Sequence, residues 1–190
     1  FSIPFFASFP ETMALDGVPA EIGFKKNGYI FIVPPSAIDT LKANYDTERS
    51  MGCNVIWLEP DEIKHRFPSM NVDDLGAAVL SPDDGWLDPH SVLMGFRKKA
   101  QSLGATFLAE DVTGMERNKA QVTATVTNKG ARIEAAHYVN AAGAWAKTIC
   151  AMLGFPVPIE PLRRYEHYFE CEEAIEPLPL HVVELGFEQR

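Results

Sequence analysis

Tyr138-Val139-Asn140-Ala141-Ala142-Gly143-Ala144-Trp145-Ala146 is the stretch of this chain best suited to act on another molecule. An apolar run leads into tiny residues with a glycine among them and a large aromatic behind. Small residues after a strand let a second molecule approach the backbone closely. In open α/β sheets that turn, at the carboxyl end of a strand, is where ligands sit. The competing reading is that the small residues only pack a helix against a strand. A second candidate is the basic and aromatic cluster of Arg163, Arg164, Tyr165, His167 and Tyr168. Strand alternation sets Arg163, Tyr165 and His167 on one face and Arg164, Glu166 and Tyr168 on the other. That cluster also reads as a solvated strand face with a cross-strand ion pair.

Other groups able to do chemistry have plainer roles. Asp83, Asp84 and Asp88 share one loop, but their neighbours Pro82, Gly85 and Pro89 fit turns and a helix cap. Glu172-Glu173 reads as a solvated acidic loop. The histidines, His65, His90, His137, His167 and His181, show no metal-ligand spacing. Cys53, Cys150 and Cys171 are far apart and odd in number, against both a disulfide framework and a zinc site. Neither a Ser-His-Asp arrangement nor a phosphate loop is present. No metal site and no catalytic residue is assigned.

The elements that must position these groups follow from pattern. Ile22 to Phe24 and Tyr29 to Val33 read as strands, with Lys25-Lys26-Asn27-Gly28 as a hairpin turn. Pro34-Pro35-Ser36 ends the strand and opens a helix from Ala37 to Met51. Val55 to Leu58 is a short strand, and Glu59 to Phe67 a helical turn closed by Pro68. Leu75 to Leu80 is again strand-like. Asp88 caps a helix with Pro89 at its first position, running to Leu103 and stopped by Gly104. Val92, Leu93, Phe96, Ala100 and Leu103 would form its buried face. Ala105 to Leu108 reads as a strand and Asp111 to Gly114 as a turn. Gln121 to Thr127 alternates as a half-buried strand, and Asn128-Lys129-Gly130 turns it into a partner, Ala131 to Ala135. Tyr138-Val139 reads as a buried strand, followed by the small-residue turn and a helix to Leu153. Arg164 to Glu170 reads as a strand.

The 190 residues are 46% hydrophobic and 23% charged, ordinary for a globular chain with one good core or a domain and part of another. A net charge of -9 argues against nucleic acid as partner. No apolar run has the length of a membrane span. Cysteine usage fits a reducing, cytoplasmic setting.

Four stretches, in this order, resemble the FAD-dependent oxidoreductases of the D-amino acid oxidase superfamily. They are Lys26-Asn27-Gly28-Tyr29-Ile30-Phe31; Trp57 to Ile63 with Arg66-Phe67-Pro68; Asp84 to Pro89 with Leu103-Gly104-Ala105; and Val139 to Trp145. Pro161-Leu162-Arg163-Arg164-Tyr165 is similar to the sarcosine oxidase/dimethylglycine dehydrogenase-like branch. The resemblance implies a mixed α+β and α/β fold, part of a two-domain flavoprotein. An FAD/NAD(P)-binding-like region would accompany a mixed β-sheet substrate domain. Residues 1–81 would be a substrate-domain segment, 82–153 the middle of the FAD-binding domain, and 154–190 a return into the substrate domain.

The resemblance also implies function. The intact protein would bind FAD and oxidise the C–N bond of a small amine or amino acid of sarcosine, D-amino-acid or glycine type. Val112 corresponds to the residue whose backbone faces the FAD adenine. Ala141, Ala142, Gly143, Ala144 and Trp145 would lie along the dinucleotide, with Trp145 a packing residue rather than a catalyst. Arg163, Tyr165 and His167 could hold a substrate carboxylate. The family's Gly-x-Gly-x-x-Gly turn does not occur in these residues. The chain therefore reads as an internal fragment, inactive alone, with weak or no FAD binding and with exposed strand edges that favour oligomers. The alternative is a flavin-free binding or scaffold protein that keeps the substrate-domain fold.

Overall fold

The computed structural model describes residues 2–119, 121–163, 170, 172 and 181–184. In chain order these hold six α-helices, α1 to α6, and seven strands, β1 to β7. Two compact units result, Phe1–Ala105 with Glu170–Arg190, and Thr106–Phe169.

The first unit is built on a four-stranded sheet in the order β2-β3-β1-β7. Its strands are β1 (Tyr29–Val33), β2 (Ile56–Leu58), β3 (Ala77–Ser81) and β7 (His181–Glu184). β3 runs antiparallel to both neighbours, and β7 runs parallel to β1. β3 is buried at Ala77, Ala78, Val79 and Leu80, so its unbroken apolar run belongs to a strand covered on both faces. On one face Ile30, Leu58, Ala78 and Leu80 meet Ile63 and Phe67. Ile63 lies on α4 (Pro60–Arg66), whose start is a capping box between Glu59 and Glu62. On the other face Val33, Ala77 and Val79 meet Leu41 and Tyr45 of α3 (Ile38–Ser50).

The Asn27-Gly28 hairpin does not form. Ile22 to Phe24 is no strand, and β1 pairs with β3 instead, Tyr29 opposite Ser81 and Val33 opposite Ala77. The pairing continues beyond the turn: Lys25 and Trp86 exchange two backbone hydrogen bonds of 2.8 Å, and the Gly28 N–H donates to the Asp84 carbonyl at 2.9 Å. Gly28 does take the left-handed conformation, φ 84°, but to bend a strand rather than to reverse it. The apolar run of β3 outcompetes the polar-edged Ile22 to Phe24 segment as a partner.

The unit opens with α1 (Ser2–Ala7) and α2 (Phe9–Thr12). Its longest helix is α5 (Pro89–Ser102), capped by Asp88, which accepts from the backbone N–H groups of His90 (3.1 Å) and Ser91 (3.2 Å). The expected buried face of α5 is buried only in part: Val92 and Ala100 are half-buried, and Phe96 packs one side of its ring on Phe5 and Phe9. Leu93, Phe96 and Leu103 are exposed, and the helix position that is enclosed is Gly95, against the fully buried Phe9. An aromatic ring seated directly on the helix backbone uses the position without a side chain, which a hydrophobic pattern does not mark.

The second unit is an antiparallel meander, β4 (Val112–Arg117), β5 (Val122–Thr127) and β6 (Arg132–Ile133), with α6 (Ala146–Met152). Three expected features differ here. Of the expected turn Asp111 to Gly114, Val112 to Gly114 are the start of β4, with an irregular register between Val112 and Gly114. Tyr138-Val139 forms no strand, and Val139 is 88% exposed. Ala105 to Leu108 likewise forms no strand, with Phe107 and Leu108 exposed. No strand among the described residues is available to pair with either stretch. The strand expected over Arg164 to Glu170 falls on 164–169, outside the described residues.

Candidate functional site

The meander of the second unit is fixed at its turn before anything is bound. The Thr127 N–H donates to the Ala131 carbonyl at 2.9 Å, and Gly130 takes φ 82° to close the reversal. The buried Thr127 hydroxyl donates to Glu110 at 2.6 Å and accepts from the Ala131 N–H at 3.1 Å. Across the sheet Arg132 binds Glu116 (2.8 Å) and also pairs with Glu134. The Arg132 guanidinium holds the Glu116 carboxyl below the usual carboxylate range, and the two carboxylates push the guanidinium up. These groups are about half exposed and serve the sheet edge rather than a reaction.

Beside the meander lies a recess of about 450 Å³, inside the ~300–1,000 Å³ range of small-molecule sites. Val112 and Met115 from β4 form one wall, Ala141 and Ala142 another, and Ile149 and Cys150 of α6 a third. Val112 and the Ala141-Ala142 pair, far apart in sequence, are thus brought together. β4 is an outer strand of its sheet, so its far edge carries peptide groups that no strand among the described residues pairs. Val122 and Thr125 of β5 complete the lining, so the recess lies over the face of the meander, and a mostly apolar slot of this size suits a flat heterocycle.

The rest of the turn lies beyond that wall. Gly143 to Trp145 form a short 3-10 turn leading into α6, with Gly143 at φ 53° and no atom within 4 Å of where a Cβ would lie. Ala144 is exposed and Trp145 is 72% exposed, so the indole is not a packing residue here. Of the residues expected to hold a substrate, Arg163 is exposed and without regular structure, while Tyr165 and His167 lie outside the described residues. The aspartates keep their plain roles. Asp83 pairs with Lys26 (2.7 Å) and accepts from Asn54 (2.8 Å), and Asp88 caps α5. No His, Cys, Asp and Glu cluster able to hold a metal occurs among the described residues.

Two polar residues of the recess, Tyr138 and Asn140, belong to the stretch that the sequence singles out, but their anchoring roles do not show in it. The Tyr138 hydroxyl accepts from the Ala135 N–H (2.9 Å) and lies 3.0 Å from the Thr123 carbonyl, tying the segment to the meander. Asn140 ties the same segment to α6. The one signal available was an Asn ahead of tiny residues, a composition that favours side-chain-to-backbone turns.

A model of the family described as FAD dependent oxidoreductase matches residues 8–186. The chain belongs to this FAD-dependent oxidoreductase family. FAD-dependent oxidoreductase domain-containing protein 1 of Mus musculus is 28% identical over 205 residues, covering 92% of this chain and 42% of that protein. Mitochondrial sarcosine dehydrogenase of Homo sapiens is 29% identical over 164 residues, covering 83% of this chain and 18% of that protein. The chain therefore spans less than half the length of these relatives. Among solved structures, L-proline dehydrogenase from P. horikoshii superposes with a TM-score of 0.67 at 29% identity, over 80% of this chain and 39% of that one. Glycine oxidase from Geobacillus kaustophilus superposes with a TM-score of 0.65 at 24% identity, over 80% of this chain and 41% of that one, a likeness of fold. The mixed helix and sheet architecture is that of D-amino-acid-oxidase-type flavoenzymes. FAD is the cofactor of the family, and the mostly apolar recess is large enough to take one end of such a molecule. No helix among the described residues is long and apolar enough to cross a membrane.

Proposed function

We propose that this chain is part of a flavoenzyme that oxidises the C–N bond of a small amine or amino acid. Membership of the FAD-dependent oxidoreductase family supports the chemistry, and relatives that include sarcosine and dimethylglycine dehydrogenases support the substrate class. The observation that carries the reading is the recess that joins Val112 to Ala141 and Ala142. FAD, when bound, supplies a two-electron sink for the hydride equivalent on the carbon beside nitrogen.

The chain's own residues would bind and orient. The β4 edge at Val112 would meet the adenine rim with peptide groups, and Ala141-Ala142 would pack its face without crowding. Gly143, Ala144 and Trp145 would continue along the dinucleotide. Arg163, Tyr165 and His167 would face the substrate carboxylate, an arginine being suited to grip it with two parallel hydrogen bonds. Residues 1–81 and 154–190 would serve the substrate domain, and 82–153 the flavin domain. These 190 residues alone would turn over nothing, because they contain no Gly-x-Gly-x-x-Gly turn to hold the pyrophosphate. Their exposed strand edges favour oligomers, and the free thiols Cys53 and Cys150 fit a reducing compartment such as the cytoplasm.

The test is anaerobic mixing of the flavin-loaded full-length protein with sarcosine, dimethylglycine, glycine and L-proline in turn. Loss of the visible flavin absorbance with at least one of them is the expected result. A flavin that dithionite bleaches and no amine does would overturn the reading, and would favour a protein that keeps the fold for binding.

A further inference from the structure

One side chain organises the recess, and it is none of those that form its apolar walls. Asn140 stands between the meander and α6 and makes three contacts. Its Oδ1 accepts from the Ala142 N–H at 3.2 Å. Its Nδ2 donates to the Ala146 carbonyl at 3.0 Å and to Cys150 Sγ at 3.3 Å. The amide can lie only one way round, because one side meets an N–H and the other a C=O. Ala146 is the first residue of α6 and the one buried residue among those described in that helix. Asn140 therefore fixes two walls of the recess against each other, the Ala141-Ala142 wall through the bond to Ala142 and the α6 wall through Ala146 and Cys150.

Other side chains of that size do not reproduce this. Aspartate keeps the acceptor for Ala142 but faces the Ala146 carbonyl with a second acceptor. Serine keeps an acceptor and is too short to span to α6. Alanine removes all three contacts and leaves the Ala142 N–H without its partner. We propose that Asn140 is the positioning residue of the recess: its amide sets the spacing between Ala141-Ala142 and α6, and so the fit of the adenosine end of FAD. This rests on the reading of the recess as the adenine site given above. Asn140 is itself exposed, so its hydrogen bonds compete with water and its effect on affinity is moderate.

The test titrates the full-length apoprotein with FAD and with FMN, which shares the flavin ring and lacks the adenosine, following flavin fluorescence. N140A is expected to weaken FAD by about fivefold, equivalent to ~1 kcal/mol, and to leave FMN unchanged. N140D should weaken FAD further, because its carboxylate repels the Ala146 carbonyl. A general loosening of the fold would weaken FAD and FMN alike, and that result overturns the proposal, as does an unchanged FAD affinity. Should N140A not fold, N140S, which keeps an acceptor for Ala142, gives the same reading. A142L, which fills the recess directly, runs beside these variants. If A142L leaves FAD affinity unchanged, the adenine site itself is refuted and the Asn140 proposal with it. If A142L weakens FAD and N140A does not, only the Asn140 proposal falls.

Discussion

Gly95→Ala sets two known effects against each other, and the structure decides between them. Alanine in place of glycine in a helix interior gains about 0.8–1.0 kcal/mol of intrinsic preference. A Cβ at position 95, however, would lie 2.6 Å from Phe9 Cε1 and 2.9 Å from Phe9 Cζ, closer than real carbon contacts allow. The Phe9 ring has no exposed surface. It is hemmed in by Phe96 at 5.1 Å, Phe5 at 5.9 Å and Phe6 at 6.1 Å between ring centroids, so a shift propagates through the whole aromatic group. Overpacking of that kind costs about 1–3 kcal/mol, and a ring with no free side belongs in the upper half. The net expectation is a loss of ~1–2 kcal/mol. Urea denaturation followed by tryptophan fluorescence reads it as a lowered midpoint at unchanged slope. In a Phe9→Leu background, which removes the atoms in conflict, the same substitution should cost less by ~1 kcal/mol. A Gly95→Ala protein as stable as the parent, or more so, would refute the close seating of the Phe9 ring against α5 at Gly95.

Gly85→Ala should be harsher, because its Cβ would lie 2.2 Å from the Lys25 carbonyl oxygen, a backbone atom in the paired Lys25–Trp86 segment. A loss of ~3 kcal/mol is expected, read by urea denaturation together with a changed Trp86 emission, and a neutral effect would refute the pairing. Acid should weaken the first unit through Asp88 and Asp83. The Ser91 hydroxyl hydrogen bond holds Asp88, and the Lys26 hydrogen bond holds Asp83, below the ordinary 3.8. A depressed folded value contributes stability that is complete above the unfolded value and is lost as pH falls through the lower folded one, so the loss begins near pH 4 and deepens below it. An acid titration by circular dichroism should show that loss, and Asp88→Asn should make it shallower; identical titrations would refute the role of the cap.

Local chemistry was legible wherever one residue's neighbours in sequence decide its state. Asp88 with Pro89 marks the start of α5, and Pro34-Pro35 marks the end of β1 and the approach to α3. Of the small-residue turn, Ala141 and Ala142 line one recess with Val112, and Gly143, Ala144 and Trp145 do not. What failed shares a physical cause. Asn27-Gly28 has the composition of a hairpin, yet the better partner for β1 lies in β3, and partner choice is a competition that a local pattern does not record. Leu93, Phe96 and Leu103 recur at helical spacing, and Tyr138-Val139 and Ala105 to Leu108 carry strand-like residues, yet all three stretches have apolar groups in the open. Periodicity states which side of an element is apolar, whereas burial requires a second surface to cover it, and a strand requires a neighbour to complete its hydrogen bonds. The recess follows the same logic from the other direction: its polar anchors, Tyr138 and Asn140, each act through a few hydrogen bonds specific to this fold, and such bonds leave no repeat in a sequence for a pattern to find.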